Sequence, residues 1–226
     1  MSSSFHLFEF DSDVMQEAEA RAQQMGVLPK NQYGLLSVVT GFVGEIVLLR
    51  ALQQDADEFG KAVLEDTLNY DIAIHPNPQQ FKCTGSQDSH NQETVKNSKK
   101  IRIEVKSRRT KVEPLAHYMN CVSAHNSTQQ CDLYAFLRVK YARNDPETKR
   151  GTVYFCGAMT QQRFAHLKKY SASTKSAKLD CFYVYIRDCC SYKSLLQAAE
   201  TFCKDAANDA AKEEVHTQPA PTASAH

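Results

Sequence analysis

The chain has 226 residues, 42% of them apolar and 23% charged, with 27 Lys and Arg against 26 Asp and Glu. That length can bury a core without disulfide staples or a structural metal. The near-neutral balance excludes a uniformly basic nucleic-acid coat or an acidic solvating tail as the whole protein, and leaves function to local patches. The longest apolar stretch, Gly34 to Leu49, contains Glu45 and runs straight into Arg50. It falls short of the roughly 20 clean residues that span a bilayer, so it reads as a buried helix and no membrane partner is expected. The opening MSSSFHLFEFDSD turns acidic at once and lacks the basic start and small-residue cleavage site of a secretory leader. An intracellular location is therefore expected, in the cytoplasm or, in a eukaryote, the nucleus. The eight cysteines (83, 121, 131, 156, 181, 189, 190 and 203) form no CxxC pair. In a reducing compartment they are expected as small buried hydrophobes rather than as zinc ligands drawn from Cys181, Cys189, Cys190 and Cys203.

In chain order, Asp11 or Ser12 caps a predicted helix to about Gln24, with Gly26 as its stop and Pro29 just beyond. These first 30 residues read as an N-terminal helical segment ahead of a main domain over 31–203. A second helix is predicted from about Gln32 to Gln54, followed by polar sequence to 67. Leu68 to Ile74 alternates with period two, as a half-buried strand does. Residues 75–98, rich in Asn, Gln, Ser and Lys, read as a long loop or surface insertion. Ile101 to Lys106, Leu133 to Val139, Thr152 to Cys156 and Cys181 to Ile186 read as further strands. Thr160 caps a predicted helix through Lys169, and Ser191 or Ser194 begins one to about Ala206. Residues 204–226, without a large apolar residue except Val215, are expected to form a disordered tail. The interior is a mixed sheet.

Alternation on 101–106 sends Ile101, Ile103 and Val105 to one face and Arg102, Glu104 and Lys106 to the other. A carboxylate and an ammonium then stand side by side. The carboxylate can bind a hard divalent cation, while the lysine can orient a water or offset charge growing on a phosphoryl oxygen. Taken alone, an ExK triplet is weak evidence, and an exposed ion pair is the better account of it. On the preceding strand Tyr70, Ile72 and Ile74 form the apolar face, so Asp71 projects from the other. Neighbouring strands would aim Asp71 and Glu104 into one volume, where their repulsion calls for a cation between them. Glu45 shares a helical stripe with Val38, Phe42, Leu49 and Leu52. Gly41 and Gly44 would let that helix press against the sheet and bring Glu45 to its edge.

The succession of a helix bearing GFVGE (41–45), a strand bearing NYD (69–71), a strand bearing EVK (104–106), then a helix and an apolar strand with CDLYAF (131–136) resembles the PD-(D/E)XK nuclease superfamily. The resemblance covers about residues 33 to 140. It implies an α/β fold with a restriction-endonuclease-like core, a mixed central β-sheet flanked by α-helices. It also implies a Mg²⁺-dependent endodeoxyribonuclease in which Mn²⁺ can substitute. By the same resemblance Asp71 and Glu104 would hold the metal with the carbonyl of Val105, Lys106 would position the attacking water, and Glu45 would match the acidic residue that many members carry on the first core helix. Tyr70 stands where the family's name has proline, and the 33-residue step from Asp71 to Glu104 leaves Asp66 and Asp88 as rival first aspartates.

Residues 99–111 hold seven cations against Glu104 alone. Lys99, Lys100, Arg102, Arg108, Arg109 and Lys111 are the expected contacts to DNA phosphates, the expected partner. Asn126, Ser127, Gln129 and Gln130 precede the apolar strand where family members often turn a polar side chain to the site. His117 and His125 read as surface or loop histidines, since neither has a second His or Cys at ligand spacing. Cutting both strands calls for two active sites, which fits a homodimer. The alternative is a nucleic-acid-binding module of the same fold without catalysis.

Overall fold

The computed structural model describes residues 5–25, 34–65, 67–77, 99–123, 129–164, 166–167, 169–173 and 178–216. The protein is a mixed α/β structure built on a curled six-stranded sheet of order β1-β7-β6-β4-β3-β2. These strands are β1 (His6–Phe10), β2 (Gly60–Leu64), β3 (Ile72–Pro76), β4 (Ile101–Arg109), β6 (Leu133–Tyr141) and β7 (Gly151–Thr160). All neighbours are antiparallel except β4 and β6, which run parallel with Glu104 opposite Tyr134 and Lys106 opposite Phe136. A second, three-stranded sheet of order β5-β9-β8 comprises β5 (Met119–Ser123), β8 (Lys169–Ser173) and β9 (Lys178–Tyr185).

Four α-helices complete the described residues: α1 (Ser12–Gln24), α2 (Gly34–Asp55), α3 (Gln161–Phe164) and α4 (Tyr192–His216). The Asp11 carboxylate caps α1 by accepting from the Asp13 N–H at 3.1 Å, as the sequence predicts. Burial of α2 is far wider than one stripe: Val39, Phe42, Val43, Ile46, Val47, Leu48 and Leu52 are all in the core. Its length and composition alone would suit a membrane span. Here it is instead clasped between α1 and the sheet.

Helices cover one face of the large sheet. Ile72, Ile74, Ile103, Val105, Leu137, Val139, Val153 and Phe155 meet α1, α2 and the start of α4 in one core. On the opposite face, Tyr134, Phe136, Tyr154, Cys156 and Met159 pack against Val122, Val184 and Ile186 of the small sheet and the turn that follows β9. Among the described residues, α1, α2 and the start of α4 thus share one face, and the small sheet covers the other. Between β4 and β6, where the resemblance implies a helix, it places β5, and residues 124–128 lie outside the described set. The helix expected over 160–169 stops at Phe164, with β8 beginning at Lys169, although the Thr160 hydroxyl does accept from the Arg163 N–H at 3.3 Å.

The first 30 residues contribute a strand as well as a helix, since β1 pairs along β7. α4 continues to His216, ten residues past its predicted end, and 217–226 lie outside the described residues. Across β6 and β7 the register slips at Phe136, where Cys156 and Gly157 stand opposite one residue. Gly157 takes φ +114, and a Cβ there would sit 2.2 Å from the Cys189 Cβ, so only glycine fits this bulge. Cys131, Cys156 and Cys203 are buried as small hydrophobes, and none of the seven described cysteines is in a disulfide. Cys83 lies outside the described residues.

Candidate active site

The predicted strand over 68–74 begins four residues later than its alternation suggests. Thr67 is the physical reason. Its hydroxyl accepts from the N–H groups of Asn69 (3.2 Å) and Tyr70 (3.0 Å) and donates to the Tyr70 carbonyl (2.9 Å), folding 67–70 into a turn that competes with strand pairing. Leu68 is thrown outward at 95% exposure, and Tyr70 joins the small-sheet side of the core rather than the side of Ile72 and Ile74.

The turn delivers Asp71 to the flank of β4. Its N–H donates to the Ile103 carbonyl (3.0 Å), its carbonyl accepts from Glu65 (3.0 Å), and its carboxylate Oδ2 accepts from the Val105 N–H at 2.7 Å. Backbone pairing of β3 with β4 ends at Ile103. The Asp71 side chain thus takes over as acceptor one step further along. A strand residue presents its N–H and C=O to the same side, so the Val105 carbonyl also faces the Asp71 flank, beyond the last β3 partner.

Glu104 is buried at 5% exposure, on the face opposite the helices and beside Tyr134. A buried carboxylate needs partners. Among the described residues it has two: Lys106 Nζ forms an ion pair with Oε1, and Gln129 Nε2 donates to the same oxygen at 2.9 Å. Gln161 of α3 holds Gln129 in turn, donating to its carbonyl at 2.6 Å, and the Gln130 N–H donates to Asn69 Oδ1 at 3.3 Å. Burial chiefly, and the charge of Glu104 in addition, push the neighbouring Cys131 thiol up to about 11. Burial likewise raises the Tyr134 hydroxyl. Both stay neutral beside the ionic pair.

The Asp71 carboxylate thus sits on the Val105 N–H, while Glu104 pairs with Lys106 and Gln129 joins that pair. Glu45 lies elsewhere. Its Oε2 is 3.7 Å from Arg21 Nη1 of α1, and that guanidinium lies over the Phe42 ring. The stripe carrying Glu45 faces α1, on the helix side of the sheet, whereas Glu104 and Lys106 point to the other side. Among the described residues no group of three or more His, Cys, Asp or Glu comes together around a metal position. Of the two glycines, Gly44 is the one pressed against β4, and a Cβ at Gly41 would have nothing within 4 Å.

The basic stretch divides in two. Lys99 pairs with Asp209 (2.8 Å) and Lys100 with Glu65 (2.6 Å), while Arg102 grips Asp132 bidentately at 2.9 and 3.0 Å. These contacts absorb much of the charge that the sequence shows. Arg108, Arg109 and Lys111 make no ion pair among the described residues; Arg108 contacts Cys121 Sγ and Arg109 donates to the Asn144 carbonyl. His117 is exposed, at the surface as expected. Asp66, Asp88, His125, Asn126 and Ser127 lie outside the described residues.

Glu65 is a centre that sequence reasoning missed. Its carboxylate accepts from Tyr70 Oη (2.5 Å), Lys100 Nζ (2.6 Å) and His75 Nε2 (2.8 Å). Burial works to raise its pKa, but these hydrogen bonds outweigh it and hold the carboxyl at about 2. A lone Glu in a polar stretch carries no periodic signal. Only the pairing of β2 with β3 brings it to its partners.

The oxygen donors suit a hard cation. Two carboxylates and a carbonyl match the way Mg²⁺ is usually held, with the remaining positions left to water and substrate phosphate. No protein-family model matches the chain, and neither does any curated protein sequence.

Proposed function

We propose that the protein is a Mg²⁺-dependent nuclease that hydrolyses phosphodiester bonds in DNA, an endonuclease on a restriction-endonuclease-like core. The observation that carries this reading is the seating of the Asp71 carboxylate on the Val105 N–H, with Glu104 and Lys106 on either side of that residue. Asp71, Glu104 and the Val105 carbonyl would hold the metal, for which Mn²⁺ could substitute. Bound there, Mg²⁺ would supply Lewis-acid stabilisation of charge on the phosphoryl oxygens. Lys106, anchored by Glu104, orients the attacking water through its ammonium and offsets the same developing charge. Gln129 keeps the Glu104 carboxylate turned to Lys106. Arg108, Arg109 and Lys111 offer their charge to the DNA backbone. Glu45, committed to Arg21, has no role in this mechanism. Cleavage of both strands would call for a homodimer.

A non-catalytic DNA-binding module is the second reading, favoured by the closed Glu104–Lys106–Gln129 contact and the low exposure of Glu104. One experiment separates the two. Purified protein is incubated with plasmid, linear, branched and single-stranded DNA in Mg²⁺ or Mn²⁺, beside Glu104→Ala and Lys106→Ala. The nuclease reading expects cut product, lowered about 100-fold or more in either variant, with the circular dichroism spectrum unchanged. Binding by the wild type without a cut product would establish the second reading. Cleavage at the wild-type rate in either variant would remove the mechanism.

A further inference from the structure

The end of the large sheet away from Asp71 carries a concave surface of about 480 Å³, lined by the β1–α1 junction and the β6–β7 hairpin. Its cations are Lys140, Arg143 and Arg150, and none of them makes an ion pair among the described residues. The fourth cation of the hairpin, Lys149, is already held by Glu19 at 3.2 Å. Two acids share the wall, and both are engaged: Asp11 caps α1, and Glu9 accepts from the Thr152 hydroxyl at 3.2 and 3.3 Å.

The hairpin holds its cations at a conformational cost. Arg143 (φ 53), Asn144 (φ 57) and Lys149 (φ 50) all occupy the left-handed region without being glycine. The left-handed region disfavours a side chain such as arginine or lysine, and strain of this kind concentrates at ligand clamps. Arg109 locks the loop from beneath, donating to the Asn144 carbonyl at 2.8 Å with its guanidinium 5.6 Å from the Tyr141 ring centre.

Strand alternation ties this surface to the candidate site. Leu137, Val139 and Tyr141 point into the helix-side core, so Arg138 and Lys140 face the side of Glu104 and Lys106. Arg108 stands opposite Arg138, and Lys140 lies four residues beyond Phe136, the partner of Lys106. At about 3.3 Å per residue this is roughly 13 Å along the sheet, or about four base steps of a duplex. Arg138 is anchored beneath β5 by its bond to the Met119 carbonyl (2.8 Å), while Arg108 and Lys140 flank it on the way to the hairpin.

We infer that this surface is a second phosphate-contact station, at which Lys140, Arg143 and Arg150 hold the sugar-phosphate backbone of DNA whose scissile region lies over Glu104 and Lys106. The inference rests on the nucleic-acid reading above but not on catalysis. It is tested by anisotropy titration of the full chain with a labelled duplex, and with the matching single strand, in Ca²⁺ over a series of salt concentrations. The exposed pair Arg143→Ala/Arg150→Ala should weaken binding on the order of tenfold and flatten the slope of log K against log salt by about 1 for each lost contact. Arg143→Lys/Arg150→Lys should restore most of both. An unchanged affinity and slope in the alanine pair, with Arg108→Ala weakening binding, would overturn the second station and leave the nucleic-acid reading standing. Binding of neither polynucleotide by the wild type would overturn both.

Discussion

Gly44 and Gly41 sit one turn apart on α2, and the structure predicts opposite consequences for the same substitution. A Cβ at Gly44 would meet the Ser107 Oγ at 1.8 Å, the Ser107 Cβ at 2.9 Å and the Leu137 Cδ1 at 3.2 Å. Rotation of the Ser107 side chain can move its hydroxyl but not its Cβ, so the helix itself must retreat from β4. Overpacking of this kind costs about 1–3 kcal/mol, set against about 1 kcal/mol gained from replacing helical glycine by alanine. The contact with the Ser107 Cβ puts Gly44→Ala in the upper part of the range, a net loss of about 1–2 kcal/mol. At Gly41 a Cβ meets nothing within 4 Å, and Gly41→Ala keeps the whole propensity gain of about 1 kcal/mol. For a chain of this size each kcal/mol moves Tm by about 2–4 °C. Calorimetry or thermal circular dichroism should therefore show Gly41→Ala melting above the wild type and Gly44→Ala below it. Equal shifts in the same direction would refute the close approach of α2 to β4, and with it the register that places Glu104 and Lys106 on the far face.

The Glu65 cluster gives a pH signature. Its carboxyl is held at about 2 against an ordinary 4.5, so the stabilisation is complete above about 4.5 and is lost as pH falls toward 2. Glu65→Gln should lower Tm at pH 7 and match the wild type near about pH 2; a constant deficit at both pH values would contradict the assignment. Thr40 and Tyr141 share a buried hydrogen bond of 3.0 Å, but the Thr40 hydroxyl also donates to the Leu36 carbonyl at 2.7 Å. Tyr141→Phe should then cost about 1 kcal/mol or less, whereas Thr40→Val strands the buried tyrosine hydroxyl and should cost about 1–3 kcal/mol. Urea titration of both variants checks this order, and the reverse order would mean that the Tyr141 hydroxyl has another partner.

Local rules read well wherever a side chain's own periodicity decides its environment. The caps at Asp11 and Ser191, the buried α2 and the apolar runs of β4, β6, β7 and β9 are all visible in that way. Edge strands are not. β1, β2, β5 and β8 are short, at five residues each, and acquire strand character from partners distant in sequence. Thr67 shows the opposite failure, because a clean alternation over 68–74 yields to one hydroxyl bonded to its own turn.

The candidate site divides along the same line. Residue types and alternation alone put Glu104 and Lys106 on one face, and place acidic groups on the two elements before them. Which acid joins the pair is a question of tertiary geometry. Asp71 reaches β4 because its carboxylate replaces a missing backbone acceptor at Val105, while Glu45 is drawn away by Arg21 of α1, whose packing against α2 no periodicity encodes. Charge counted along 99–111 likewise overstates the free cations, since Glu65, Asp132 and Asp209 neutralise half of the predicted phosphate contacts from other parts of the fold. Sequence determines what each side chain can do and, through periodicity, which way it turns. Only the folded chain decides what it meets, because ion pairs and close packing depend on distances between segments that no local rule encodes.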